Sequence, residues 1–308
     1  MCNTGVKLKE NIIIRQGLKE FTAKDIALIQ EVTKNFPKLT RQELANTICE
    51  HLDWVSPSGG LKATGCLRLL ERLAEQQLLI LPEKLTFGRK TSDKPPKLTQ
   101  RTIEKPRLKG SLKEFVPIKL HVLSDKQQIQ LFNEYIQRYH PLKYKRPFGH
   151  WLRYFLCLEN EPVGCLLISG AAKALSHRDQ WITWSVAQRR KNLSWVINNS
   201  RYLIFPWVQI PHLASHILGQ LARCVANDWQ DQWGYRPVLM ETFVDPLHYS
   251  GICYQAAGWQ NLGLTTGKGL ARTGKNYKTT PKTIFVKPLV KEFRTLLCSQ
   301  QLQGRIIE

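Results

Sequence analysis

The chain has 308 residues, 43% of them hydrophobic, and sets 45 Lys plus Arg against 24 acidic residues. That length suits about two domains, and a net charge of +21 speaks of partners and solubility rather than fold. No apolar run reaches the roughly 18 residues of a membrane-spanning helix. Met1 to Lys7 lack the apolar core of a signal peptide. A cytoplasmic protein without a membrane partner is therefore expected, and nucleic acid is the commonest partner of so basic a surface. Eight cysteines at 2, 49, 66, 157, 165, 224, 253 and 298 form no CxxC pair, which disfavours a zinc knuckle and favours buried free thiols.

Residues 1–82 read as a small helical domain of winged helix-turn-helix-like order. Thr40-Arg-Gln-Glu43 is a capping box, and Leu44, Ile48 and Leu52 then follow on one helical face. Ser56 to Gly60 breaks that helix. A second helix is predicted over about 61–77, with Leu78 to Pro82 as a short strand or wing. The second helix would turn Lys62, Arg68, Arg72 and Gln76 toward phosphates and base edges in a major groove. A packing module with a solvated charged face is the plainer alternative. Residues 83–119 hold eleven Lys or Arg, with Pro95, Pro96, Pro106 and Pro117 among them. Few apolar residues offset the entropy of ordering them, so they read as a basic linker that lies along a phosphate backbone or serves as a spacer.

A larger domain follows over 120–308. A helix is predicted from Asp125 to about Tyr139, then strands at 151–159 and 163–169 joined by Asn160-Glu-Pro162. So short a connection makes the pair antiparallel. Over 170–200, Trp181, Trp184 and Trp195 suggest packing. Arg189-Arg190-Lys191 and Asn198-Asn199 suggest a polar surface, the three cations being candidate nucleic-acid contacts. A strand over 202–210 carries Pro206, which favours an edge, a bulge or a splay. A helix at 212–229, a strand at 237–244, a short helix at 247–257 and strands at 259–263 and 283–289 complete the order.

Three carboxylates are candidates for a Mg²⁺-dependent nuclease or strand-transfer site: Asp179, Glu241 and Asp245. Glu241 and Asp245 share a strand face but stand ~13 Å apart in an extended chain, so N-caps and salt bridges are the structural alternative. His212 and His216 are one helical turn apart. Leu213, not Glu, follows the first, so a zinc protease is unsupported, and His216 would be a base, a phosphate contact or a packed ring. Gly263-Leu-Thr-Thr-Gly-Lys-Gly269 lacks one spacer residue and the final Ser/Thr of a P-loop. Residues 265–291 nonetheless carry seven Lys or Arg and no acid. Lys268, Arg272, Lys275 and Lys278, with Tyr277 to stack on a base, are the favoured nucleic-acid surface.

Two resemblances add to this. A strand pair, a strand with a break, a helix, a strand, a helix bearing Tyr254-Gln-Ala-Ala-Gly-Trp259 and a last strand is similar to the GNAT acyltransferases. That resemblance implies pantetheine in the splay after the broken strand and pyrophosphate on the next helix N-terminus, with Tyr254 as a general acid. The chain has Ser215 and His216 in that turn and no Arg/Gln-x-x-Gly-x-Gly/Ala, so coenzyme A is not expected. The strings His212-Leu-Ala-Ser-His-Ile-Leu-Gly219, Pro237-Val-Leu-Met-Glu-Thr-Phe-Val-Asp245 and Cys253-Tyr-Gln-Ala-Ala-Gly-Trp259 resemble the DruA family over roughly residues 30–292. That family takes its name from the Druantia anti-phage system, and its relatives also occur with transposase genes and mobile elements. The resemblance implies that context, with defence-system or transposase proteins as partners, and supplies no reaction.

The combined expectation is an α+β protein with a winged-helix-like domain, a basic linker and a GNAT-like mixed-sheet domain. The leading function is DNA binding in anti-phage defence or a mobile element. A Mg²⁺-dependent enzyme on nucleic acid and an acyl or aminoacyl transferase are the alternatives.

Overall fold

The computed structural model describes residues 12–36, 39–83, 95–147, 149–267 and 280–300. The chain divides into two compact units, 1–90 and 91–308.

The first unit opens with a hairpin of β1 (Ile12–Gln16) and β2 (Lys19–Thr22). Three helices follow: α1 (Ala23–Asn35), α2 (Arg41–His51) and α3 (Ala63–Glu75). Thr22 and Thr40 cap the first two, each reciprocated by the acid three residues on, Asp25 and Glu43. Ile29 of α1, Leu44 and Ile48 of α2, and Leu69, Leu70 and Leu73 of α3 close around Phe21 and Trp54. Those two rings meet edge to face at 4.9 Å. The capping box and the second helix fall where the spacing puts them. The strand expected at Leu78–Pro82 does not form, and the hairpin lies before the helices instead. Side chains take the polar groups a ladder would have used: Gln30 donates to the Leu78 carbonyl and Arg41 to that of Pro82. Ile80, 90% exposed, has no core to face.

The second unit begins with a 3₁₀ turn at Gln100–Thr102, β3 (Leu108–Lys109), α4 (Leu112–Phe115) and β4 (Ile118–Val122). Then come α5 (Lys126–Tyr139), β5 (Trp151–Leu158), β6 (Glu161–Gly170), α6 (Ser176–Ile182) and α7 (Val186–Asn192). β7 (Val196–Ile204), β8 (Val208–Gln209), α8 (Leu213–Trp233) and β9 (Leu239–Val244) follow. The unit ends with α9 (Ile252–Ala256), β10 (Gln260–Leu264), β11 (Thr283–Pro288) and α10 (Phe293–Leu297). Seven strands form one mixed sheet in the order β10-β11-β9-β7-β6-β5-β4. Every neighbouring pair is antiparallel except β7 with β9. A parallel pair needs a long crossover, and the 21 residues of α8 supply it. The elements run in the GNAT-like order read from the sequence.

Helix α5 covers one face, where Phe132 and Tyr135 pack on Phe155 and Phe205. Helix α8 covers the other, burying Ile217, Leu221 and Val225 and accepting a hydrogen bond from the Tyr154 hydroxyl on Asp228 (2.9 Å).

Two expectations are corrected. Residues 95–119 are not a spacer but part of this unit. Thr99 donates through its N–H and hydroxyl to Glu134, Arg138 donates to the Thr99 carbonyl and Thr102 hydroxyl, and β3 pairs in parallel with β8. Hydrogen bonds to α5 replace the apolar contacts the segment lacks; residues 84–94 lie outside the described residues. The broken strand, in turn, starts at Val196 rather than 202, so Asn198 and Asn199 are inside the sheet and not on a polar surface.

Candidate functional site at the parting of two strands

Strands β7 and β9 pair only from Val196–Asn198 to Leu239–Glu241. β7 then continues against β6 alone. At the point of parting its register slips, Asn199 opposing Ile168 while Arg201 opposes Leu167, so Ser200 is the extra residue of a bulge. Bulges re-aim side chains beside functional sites. Here Asn199 turns toward α9: its side-chain N–H₂ donates to the Tyr254 hydroxyl (3.2 Å) while its backbone carbonyl accepts from Thr242 Oγ1 (2.9 Å). The Tyr254 ring stacks on Phe285 (5.5 Å) and meets Trp259 edge-on (5.1 Å). Burial pushes its phenol well above the ordinary tyrosine value. Gly251, before α9, has φ +74° and a Cβ there would come within 2.6 Å of Phe285, so only glycine seats this helix.

Helix α8 starts beyond the break. His212, its N-cap, adopts a left-handed φ of 64°, a conformation that favours glycine. The side chains of Ser215 and His216 occupy the first turn, and the His216 ring reaches Gln220 (3.1 Å) one turn on. The coenzyme A that a GNAT-like fold implies would need bare backbone at this turn and an open gap between the strands. In this chain Thr242 Oγ1 donates to the Asn199 backbone carbonyl across that gap.

The candidate carboxylates divide into two places. Arg178 of α6, missed in the sequence, is fully buried and holds two of them. Its Nη1 donates to Glu241 Oε2 (2.7 Å) and the Ala172 carbonyl (2.9 Å), while Nη2 and Nε donate to Asp179 Oδ1 (2.8 and 3.0 Å). Glu241 Oε1 accepts from the Ala172 N–H (2.6 Å). Asp179 also accepts from the Trp184 indole (3.1 Å), the Leu175 N–H (3.1 Å) and Arg189 (2.9 Å). All four carboxylate oxygens are therefore engaged. Burial pushes Glu241 above the ordinary glutamate value, with Arg178 pulling the other way. Burial also acts to raise Asp179, but Arg178 and Arg189 outweigh it and hold that carboxyl low. Asp245, past the end of β9, pairs instead with Lys282 and accepts from the Leu247 N–H (3.2 Å). Among the described residues no group of three His, Cys, Asp or Glu is placed to share a metal ion.

The cations expected to meet nucleic acid are unequally available. Lys62 is half-buried and its ammonium pKa is lowered by desolvation. Arg72 donates to the Arg15 carbonyl (2.7 Å), and Arg189 belongs to the Asp179 network. Arg68 and Lys191 are exposed and Arg190 is half-buried. Lys268, Arg272, Lys275 and Lys278 lie outside the described residues.

The chain is similar to solved acyltransferase structures. With aminoglycoside acetyltransferase AAC(6')-Ib, in complex with coenzyme A and kanamycin, it shares 16% identity over 56% of this chain and 94% of that one, at a TM-score of 0.38. With an acetyltransferase of Bacillus subtilis in complex with coenzyme A it shares 7% over 56% and 99%, at 0.32. With FeeM, an N-acyl amino acid synthase from uncultured soil microbes, it shares 13% over 60% and 94%, at 0.33. Among curated proteins none matches the chain. The family model described as Druantia protein DruA matches residues 74–275, well over half of the sequence, and the chain belongs to the DruA family.

Proposed function

We propose that the chain is a nucleic-acid-binding component of a Druantia anti-phage system, that duplex DNA is its first partner, and that it binds without cutting. One observation carries this reading: the positive charge is concentrated in the GNAT-like unit. Residues 91–308 hold 31 Lys or Arg against 14 acids, whereas residues 1–90 hold 14 against 10. A surface of that sign draws phosphate backbones by counterion release. The engagement of Asp179 and Glu241 by Arg178 supports binding over Mg²⁺-dependent cleavage, because an arginine stands where a metal would bring two carboxylates together.

The test is fluorescence anisotropy of labelled duplex DNA with the full chain, from about 50 to about 200 mM salt, where a protein making 6–10 phosphate contacts loses roughly 10³–10⁵ in affinity. The expected result is a steep fall, with the DNA intact when Mg²⁺ is added. Affinity indifferent to salt overturns the reading. Cleavage abolished by Glu241→Gln favours the nuclease, and saturable acetyl-CoA binding favours the transferase.

A further inference from the structure

Directly opposed residues of an antiparallel sheet share a face. Arg153 of β5 opposes Leu167 of β6, and Leu167 opposes Arg201 of β7. Two arginines therefore flank one leucine on the α5 face, about 10 Å apart across two strand spacings. Arg201 is also the first residue beyond the bulge at Ser200. The loop that follows α5 lies against them: Arg201 Nε donates to the Lys143 carbonyl (3.3 Å), and Nη1 to the Ser200 carbonyl (2.6 Å). Arg153 is only 7% exposed, over the rings of Phe132 (5.9 Å) and Trp151 (5.5 Å). Among the described residues its Nε has no hydrogen-bond partner.

Among the described residues no acid answers this charge. None of the ion pairs among the described residues involves Arg153, Arg201, Lys143 or Arg146. The groups feel one another instead. Burial, then Arg201 and Lys143, push the His140 imidazole down to about 4. Burial lowers Arg153, with Tyr144 pulling the other way and Arg146 adding to the fall. A buried cation without an anion is costly, and an orphaned buried donor is rare enough to require a cause.

We propose that Arg153 and Arg201, with Lys143 and Arg146 at the rim, form a phosphate-binding site on the α5 face of the sheet. A guanidinium presents planar paired donors that match phosphate oxygens. Two of them on one face, with further cations from the loop, suit a multiply charged oxyanion better than a single carboxylate or chloride. The anion reaches the site from the exposed side of Lys143 and Arg146, with Arg153 as the floor. The site stands without the nucleic-acid reading; only the source of the phosphate, a strand or a small phosphorylated molecule, rests on it.

The test uses the full chain and inorganic phosphate or pyrophosphate as probe. Thermal unfolding is followed against sodium chloride of equal ionic strength, and a ligand specific to the folded state raises Tm as it saturates. The expected result is a saturable rise in the wild type. In Arg153→Met it is lost, while Tm in chloride is unchanged or higher. Arg201→Met, at a half-exposed position, weakens the phosphate Kd about tenfold or more and carries the test if the Arg153 variant does not fold. No rise beyond chloride, or an undiminished rise in both variants, overturns the site. The source follows from duplex DNA. Weaker DNA binding by Arg201→Met assigns a strand phosphate. Unchanged DNA binding beside a lost phosphate response assigns a small molecule and keeps the site. Salt-sensitive DNA binding without any phosphate response overturns the site but not the proposed function.

Discussion

Two arginines of the same unit are buried in opposite circumstances. Arg178 has two carboxylates and a carbonyl around its guanidinium. Arg153 has aromatic rings, the Tyr144 hydroxyl, a neighbouring cation and an Nε with no acceptor among the described residues. The first network is closed: it ties α6 to β9 and leaves no carboxylate oxygen over. The second is open, and an anion from outside would close it. The contrast separates a cluster that holds the fold from one built to receive a ligand, although both began as charged residues in apolar surroundings.

The largest effect is expected at the closed network. Glu241→Ala leaves Arg178 short of one buried partner and should cost about 3–5 kcal/mol in urea unfolding. A cost below about 1 kcal/mol would mean the network is not structural. Arg153→Met should move the other way, neutral or stabilising by about 1 kcal/mol or more without phosphate, because it removes an unpaired charge and keeps an apolar stem. A large loss there would erase the contrast.

Acidification sharpens the first half. Asp179 is held below the ordinary carboxylate value when folded. Its contribution is thus complete above roughly pH 3.9 and is lost as pH falls through the lower folded value. Glu241 is shifted upward, so its contribution has the opposite sign and is lost as pH rises. Comparison with Asp179→Asn isolates the Asp179 share, and the variant should show a shallower acid limb in stability against pH. The smallest effect belongs to the open cluster. His140, at about 4 when folded, should titrate higher once phosphate offsets Arg201 and Lys143. Histidine ring resonances followed by NMR with and without phosphate would register the shift, and an unchanged titration would leave the cluster without its anion.

Much of the fold was legible because its signals are local. Thr40 with Glu43, Asp125 as the N-cap of α5, and the turn at Asn160 between two apolar runs each specify structure within a few residues. The start of β7 was not, because Asn198 and Asn199 read as solvated. Their place inside the sheet depends on the bulge at Ser200 and on Glu241 and Tyr254, far along the chain. The segment before β4 was misread for a related reason: its order comes from hydrogen bonds to α5, which composition does not record. At the site, Asp179 and Glu241 were visible as acids, but the residue joining them was not, since Arg178 meets Glu241 across 63 positions. Arg153 and Arg201 gave a fainter sign, single cations inside apolar strands. Only the register that sets both beside Leu167 turns that sign into a site.

The most direct test of the account is the salt dependence of duplex DNA binding in wild type and Arg201→Met. If the open cluster holds a strand phosphate, the variant binds more weakly and its log–log salt slope is shallower by about one. An unchanged affinity and slope in a folded Arg201→Met would contradict a strand phosphate in the cluster and leave a small phosphorylated molecule as the ligand to test.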